Sequence, residues 1–354
     1  MTTDTNTTEA PKKKSWIEGL TQEMIDKQLA LYQTRVKHPA MQKLLDDLMP
    51  LLMPHSESNI IIVTGATGVG KSTLTRVVLK SLMDEFAQLV MSDAAVIPMI
   101  SVEAYANGDV RHGFKGLFQG LIQELAEPGA EQKTPVTIKE GRMVVAPQAK
   151  YTVEGLRTVL EKALTLRRTR VGVIDEAAHL MRFGKDAAVM DTLKSIANTS
   201  GCKWLLVGSF DLFDLVVENG QVARRTTILN LERYQLEAPE DRVMFRDVVK
   251  KLQARWPADD VPNFVAISDA LLEVSLGCVG LLKSLLLDAS AMQLRNGGVW
   301  KPEFLKKAAK ANKLREVIRR EIELGEAKVR DALHGESLWD DDTFSKLVHK
   351  META

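Results

Sequence analysis

Cysteine is nearly absent from this sequence. Its two thiols, Cys202 and Cys278, each sit inside an apolar run, Gly-Cys-Lys-Trp-Leu-Leu and Gly-Cys-Val-Gly-Leu-Leu. That excludes a disulfide framework and reads as two buried thiols in a reducing compartment. Long apolar runs are missing too. No stretch reaches the roughly 18 uninterrupted apolar residues of a membrane span, so no membrane contact is expected. The opening Met1–Glu9 segment is polar and lacks the apolar core of a signal peptide, which makes a cytoplasmic location the expectation. Net charge is also lacking, because 47 basic residues balance 47 acidic ones. Overall charge therefore points to no polyanionic partner, although a local basic stripe can act inside a neutral protein. What is present is ordinary globular composition, 45% hydrophobic and 27% charged over 354 residues. That is enough chain for about two compact units with proper cores.

The period of the apolar residues changes along the chain. Residues 1–14 are a polar lead-in ending in Lys12-Lys13-Lys14, and from Trp16 to Met53 the apolar positions favour helical spacing. Residues 1–54 thus read as a helical N-terminal extension. Asn59–Thr64 is a short apolar run that ends in a glycine loop, as a buried parallel strand does. Helices are expected at Lys71–Leu89, Val110–Leu125, Thr152–Leu166 and Ala187–Ala197. Strands are expected at Val96–Val102, Val171–Ile174, Lys203–Val207 and Thr227–Leu231. Alternating strands and helices predict a three-layer α/β unit with a parallel sheet over 55–238. Residues 132–150, with Val136/Ile138 and Val144/Val145 about Gly141, read as a β-hairpin insertion. From 239 to 297 the pattern is helical only, a small separate unit. Residues 298–354 form a helical tail with apolar residues Leu314, Ile318, Ile322, Val329 and Leu333.

Gly65-Ala-Thr-Gly-Val-Gly-Lys71-Ser72 fits the spacing G-x-x-x-x-G-K-[ST], between a predicted strand and a predicted helix. Phosphate chemistry needs that context. Glycines let backbone N–H groups wrap phosphates, and the helix N-terminus adds its positive end. ATP contact is therefore assigned to Gly65, Thr67, Gly68, Val69 and Gly70, and to Lys71, Ser72 and Thr73 at the helix start. Lys71 is expected to reach the β- and γ-phosphates and Ser72 to ligate Mg²⁺. A chance match in a glycine turn is the other reading, and the flanking elements speak against it.

Val171-Gly-Val-Ile-Asp175-Glu176 is an apolar strand ending in two acids. At a strand's C-terminal edge Asp175 can hold Mg²⁺, and Glu176 can orient or deprotonate an attacking water. The bland alternative is a pair of solvated carboxylates capping the next helix. Ser209 follows the strand Lys203–Val207, where a small polar residue can sense a γ-phosphate or simply close a turn. Arg224-Arg225 could supply a guanidinium in trans, or be a solvated pair. His179 reads as structural or as a relay, since no second His or Cys stands at ligand spacing.

The order of glycine loop, Asp175-Glu176, Gly-Ser209, Gln221-Val-Ala-Arg-Arg225 and Gly277-Cys-Val-Gly280-Leu-Leu-Lys283 resembles an AAA+ ATPase with a helical lid. More narrowly, Val207-Gly-Ser-Phe-Asp-Leu212 and Gln221–Thr226 with Leu231-Glu-Arg-Tyr234 resemble the TnsC/TniB transposition regulators, relatives of MuB. The resemblance covers residues 55–295. It implies an AAA+ P-loop three-layer fold with a parallel sheet and an all-helical lid, flanked by helical extensions. It also implies Arg224 or Arg225 as a finger acting in trans and Lys283 as a second sensor, where AAA+ proteins more often carry arginine. Finally, it implies ATP-dependent homo-oligomeric rings or helical filaments on duplex DNA. Such an assembly recruits a transposase and works with a target-selection protein or complex.

Contact with DNA has candidates of its own. Arg111, His112 and Lys115 fall at the start of a predicted helix, and Lys139 and Arg142 lie in the hairpin insertion with Lys133 and Lys150. Repeated along a polymer, such residues would grip phosphates without reading bases. Solvated surface charge is the alternative. Two other functions stay open: a helicase-loader or initiator-like ATPase, and a nucleotide-gated scaffold that does not touch DNA.

Overall fold

The computed structural model describes residues 20–104, 113–126, 136–139, 142–145, 152–183, 186–217, 226–309 and 312–333. Its strands are β1 Ile60–Gly65, β2 Met99–Glu103, β3 Val136–Lys139, β4 Arg142–Val145, β5 Val171–Asp175, β6 Lys203–Val207 and β7 Thr226–Leu231. Helices of the N-terminal part and the α/β unit are α1 Gln22–Gln33, α2 Pro39–Leu52, α3 Lys71–Ser92, α4 Gly113–Glu124, α5 Val153–Leu166, α6 Asp186–Ser200 and the single turn α7 Asp214–Val217. Beyond these lie α8 Pro239–Gln253, α9 Ser268–Val274, α10 Val279–Arg295, α11 Glu303–Ala308 and α12 Asn312–Leu333.

Five strands make one parallel sheet in the order β2-β5-β6-β1-β7, while β3 and β4 pair as an antiparallel hairpin. The inner strands are enclosed on both faces: all six residues of β1 and all five of β6 are buried. Alternation then deals side chains to two faces. Ile60, Ile62, Ile174, Trp204 and Leu206 join α4, α5 and α6 in one core. Ile61, Val63, Val173, Leu205 and Val207 pack on the opposite side with α2 and α3. The fold class is a three-layer α/β domain with a parallel sheet and helical extensions. Among the described residues no helix is long and apolar enough to cross a membrane.

Local chemistry sets several boundaries. The Thr21 and Thr152 hydroxyls accept from Met24 and Gly155 N–H and so cap α1 and α5, and Pro39 opens α2 where no N–H is needed. The strand expected from Val96 begins only at Met99, because Pro98 has no N–H to give the ladder and serves only as an acceptor, for Arg170 and Val171. The helix expected from Val110 is described from Gly113.

A third core belongs to the helical lid, and the N-terminal extension divides between cores. Leu31 and Val36 join Tyr234, Phe245, Val249, Leu282 and Leu286 in the lid. Met41, Leu44, Leu45 and Leu48 of α2 instead pack on the sheet face beside the glycine loop. The tail also returns to the α/β unit, since Ile322 and Val329 of α12 are buried in that second core. Leu314, predicted on the same apolar face, is instead 60% exposed.

Candidate nucleotide-binding site

Strand β1 stops at Gly65 and the chain turns through residues 66–70 into α3. Gly70 carbonyl caps the helix by accepting from Thr73 and Leu74 N–H (2.9 and 3.0 Å), and Val69 N–H donates to Ala66 carbonyl (3.2 Å). Gly68 (φ +80°) and Gly70 (φ +123°) adopt backbone that L side chains rarely take. Lys71 folds back over the loop and donates to the carbonyls of Gly65 and Ala66 at 2.8 and 3.0 Å. Burial lowers its pKa, while the carboxylates of Glu176, Asp175 and Glu321 act in the opposite direction.

The other predicted groups arrive from neighbouring strand ends. β5 ends at Asp175, whose Oδ1 accepts the N–H of Glu176 at 2.9 Å. Glu176 has φ +50°, in the left-handed region that costs a non-glycine residue on the order of 1–3 kcal/mol. β6 lies between β5 and β1 and delivers Ser209, whose hydroxyl donates to Asp211 Oδ2 at 3.1 Å. Thr67, Gly68, Gly70, Lys71, Ser72 and Thr73 line one cleft of about 400 Å³, and Glu176 and Ser209 face it from across the sheet edge. The cleft therefore opens at the C-terminal ends of parallel strands, where α/β sheets hold ligands.

The lid closes the cleft from above. Gly280 N–H, in the first turn of α10, donates to the Gly68 carbonyl at 2.6 Å. A Cβ on Gly280 would stand 2.6 Å from that same oxygen, so the glycine is what permits the approach. Lys283, one turn further along α10, does not line the cleft. Its ammonium donates to the Tyr32 and Thr34 carbonyls at 2.5 and 2.7 Å and lies 5.6 Å from the Tyr32 ring. Burial, with Arg35 and Arg76 nearby, pulls its pKa down to about 8. The orphan carbonyls at the C-terminus of α1 thus hold the cation that was expected to face the nucleotide.

Two cations that no motif named do line the cleft, Arg35 and Arg76. Arg76 was within reach of sequence reasoning, because it stands four residues after Ser72 on the same face of α3. Arg35 was not, since only the docking of α1 on the lid brings its loop there. Beneath it, His38 is 2% exposed and its Nδ1 meets Tyr234 Oη at 2.9 Å. Burial, then the charge of Lys251, drops its pKa to about 4. Its Nε2 has no hydrogen-bond partner among the described residues and would lie 3.8 Å from a Cβ on Gly70.

Of the remaining predicted residues, Arg111, Arg224 and Arg225 lie outside the described residues. Lys139 and Arg142 are register partners at the turn end of the β3–β4 hairpin. Lys115 sits half-buried on α4, which packs on the edge strand β2, and is not a cleft residue. Among the described residues, no cluster of three or more His, Cys, Asp or Glu side chains could hold a metal.

Residues 55–216 match the family model described as an AAA domain. Two solved structures share the fold. The Aeropyrum pernix ORC1 protein, in complex with DNA, is 20% identical over 80% of this chain and 67% of its own, with a TM-score of 0.53. The Aeropyrum pernix ORC2 protein, in ADPNP–ADP complexes, is 14% identical over 79% of this chain and 70% of its own, with a TM-score of 0.52. No curated protein matches the chain. Sequence and fold thus agree on an AAA domain over residues 55–216.

Proposed function

We propose that this protein is an ATPase that binds ATP–Mg²⁺ in the cleft, assembles with other copies on duplex DNA and regulates transposition by recruiting transposase. The observation that carries the catalytic part is the meeting of Lys71, Ser72, Glu176 and Ser209 at one cleft on the sheet's C-terminal edge. The loop N–H groups and the start of α3 bind the phosphates, and Lys71 neutralises charge on the β- and γ-oxygens. Glu176 orients and deprotonates the attacking water, and Ser209 hydrogen-bonds the γ-phosphate or that water. Arg224 or Arg225 of a second copy stabilises charge on the transferring group. Mg²⁺ fits the oxygens present. Ser72 offers an exposed hydroxyl and Asp175 a carboxylate, and such ions take one or two protein oxygens plus substrate phosphates rather than a full protein cage. When bound it would supply positive charge against the phosphate oxygens.

Duplex DNA as partner rests on the TnsC/TniB-like motifs and on Arg111, Lys115, Lys139 and Arg142 as phosphate contacts. Hydrolysis would then dismantle the polymer. Sedimentation with duplex DNA tests this: ATP–Mg²⁺ should produce large DNA-bound species that ADP does not. Co-sedimentation indifferent to nucleotide sinks the reading. A second reading, a helicase-loader or initiator-like ATPase, draws on the shared fold with the ORC proteins, one of which is described with DNA. Capture of a replicative helicase instead of a transposase would select it.

A further inference from the structure

We infer that the tail helix α12 is an autoinhibitory strap across the phosphate side of the cleft, and that ATP displaces it. The inference rests on the ATP reading above. Glu321 of α12 accepts a hydrogen bond from the Thr67 hydroxyl, in the phosphate loop itself, at 3.1 Å. Its charge also acts on Lys71, as the charges of Glu176 and Asp175 do, so it stands at the end of the site where the β- and γ-phosphates belong.

The same helix also grips the turn after Ser209 and the segment beyond β7. Gly325 lies against Phe210, the residue after Ser209, and a Cβ there would fall 2.0 Å from the ring. Lys328 pairs with Asp214 at 3.0 and 3.1 Å, at the end of that same turn. Glu326 accepts two hydrogen bonds from Arg233, just beyond β7, at 2.7 and 3.1 Å. Ile322 and Val329, 2% and 4% exposed, are its apolar anchors.

Such a helix is poised to leave. Its anchoring stripe is narrow, Leu314, Val317 and Leu324 remain 60%, 60% and 69% exposed, and the Lys328–Asp214 pair is exposed and contributes little. A triphosphate would bring several negative charges beside Glu321 in a partly buried site, where like charges repel strongly. ADP lacks the phosphate expected nearest that carboxylate. The helix therefore opposes ATP binding, and by linkage ATP opposes its docking by the same factor.

The test is hydrogen exchange of residues 312–333 in the full chain, without nucleotide, with ADP–Mg²⁺ and with ADPNP–Mg²⁺. Calorimetry on the same samples measures occupancy. The non-hydrolysable ATP analogue should raise α12 exchange on the order of tenfold, and ADP should leave it nearly unchanged. Gly325→Leu should release the helix without nucleotide and tighten ADPNP binding about fivefold or more. If that variant does not fold, Glu326→Arg should loosen the helix and an added Arg233→Glu should restore it. Full occupancy by ADPNP with unchanged α12 exchange overturns the strap and leaves the ATP reading standing. A released helix with unaltered ADPNP affinity does the same. Failure of either nucleotide to bind overturns both.

Discussion

The two sides of the nucleotide cleft are built in opposite ways. On the phosphate side, Gly65 to Thr73 are contiguous, and their geometry follows from one strand, one turn and one helix start. On the other side, Arg35 and Gly280 line the cleft and Glu321 bonds Thr67 of the loop, three residues from separate segments brought together by the docking of extension, lid and tail. A local device survives any rearrangement that leaves its own hydrogen bonds intact. An assembled one changes with every element that supports it, so regulation belongs on that side and phosphate chemistry on the other.

The largest effect separating the two sides should come from Glu176→Gln. Removing the general base from the local side should cut turnover about 10²–10⁴-fold while ATP still binds, measured by steady-state hydrolysis beside calorimetry. Wild-type turnover would show that another group activates the water. The assembled side has its own signature in pH. His38 is neutral when folded, with a pKa of about 4, and titrates near its ordinary value of 6.5 when unfolded. Below 6.5 the unfolded chain binds the extra proton, so stability is full above that pH and lost as pH falls towards 4. The loss amounts to about 3 kcal/mol, with no further change below 4 from this group. Urea unfolding at pH 7 and pH 4.5 reads it, and His38→Gln should flatten the slope.

Lys71→Ala comes next. Losing a charged donor to phosphate should weaken ATP affinity about 10- to 100-fold. The smallest change is expected for Arg76→Ala, since an exposed cation contributes about 0–1 kcal/mol, or up to about fivefold in affinity. That change should shrink with salt, whereas the loss in Lys71→Ala should not. Equal salt dependence in both would erase the distinction between a screened rim and a buried phosphate grip.

What the amino-acid order determined alone is the fold class and its punctuation. Ile60–Val63 and Trp204–Val207 are wholly apolar because parallel strands are buried on both faces, and that pattern is legible without coordinates. So is a glycine loop between such a strand and a helix, because turn, helix start and lysine lie within ten residues of one another. Pro98 could have been read as delaying β2, since a proline cannot donate to the ladder. Only the tertiary structure decided the strand order, the division of the extension between two cores, the capture of Lys283 by Tyr32 and Thr34, and the return of Glu321 to Thr67. The physical reason is range. Backbone periodicity and turn chemistry act within a few residues, whereas these contacts join positions up to 254 apart and depend on which apolar faces find each other.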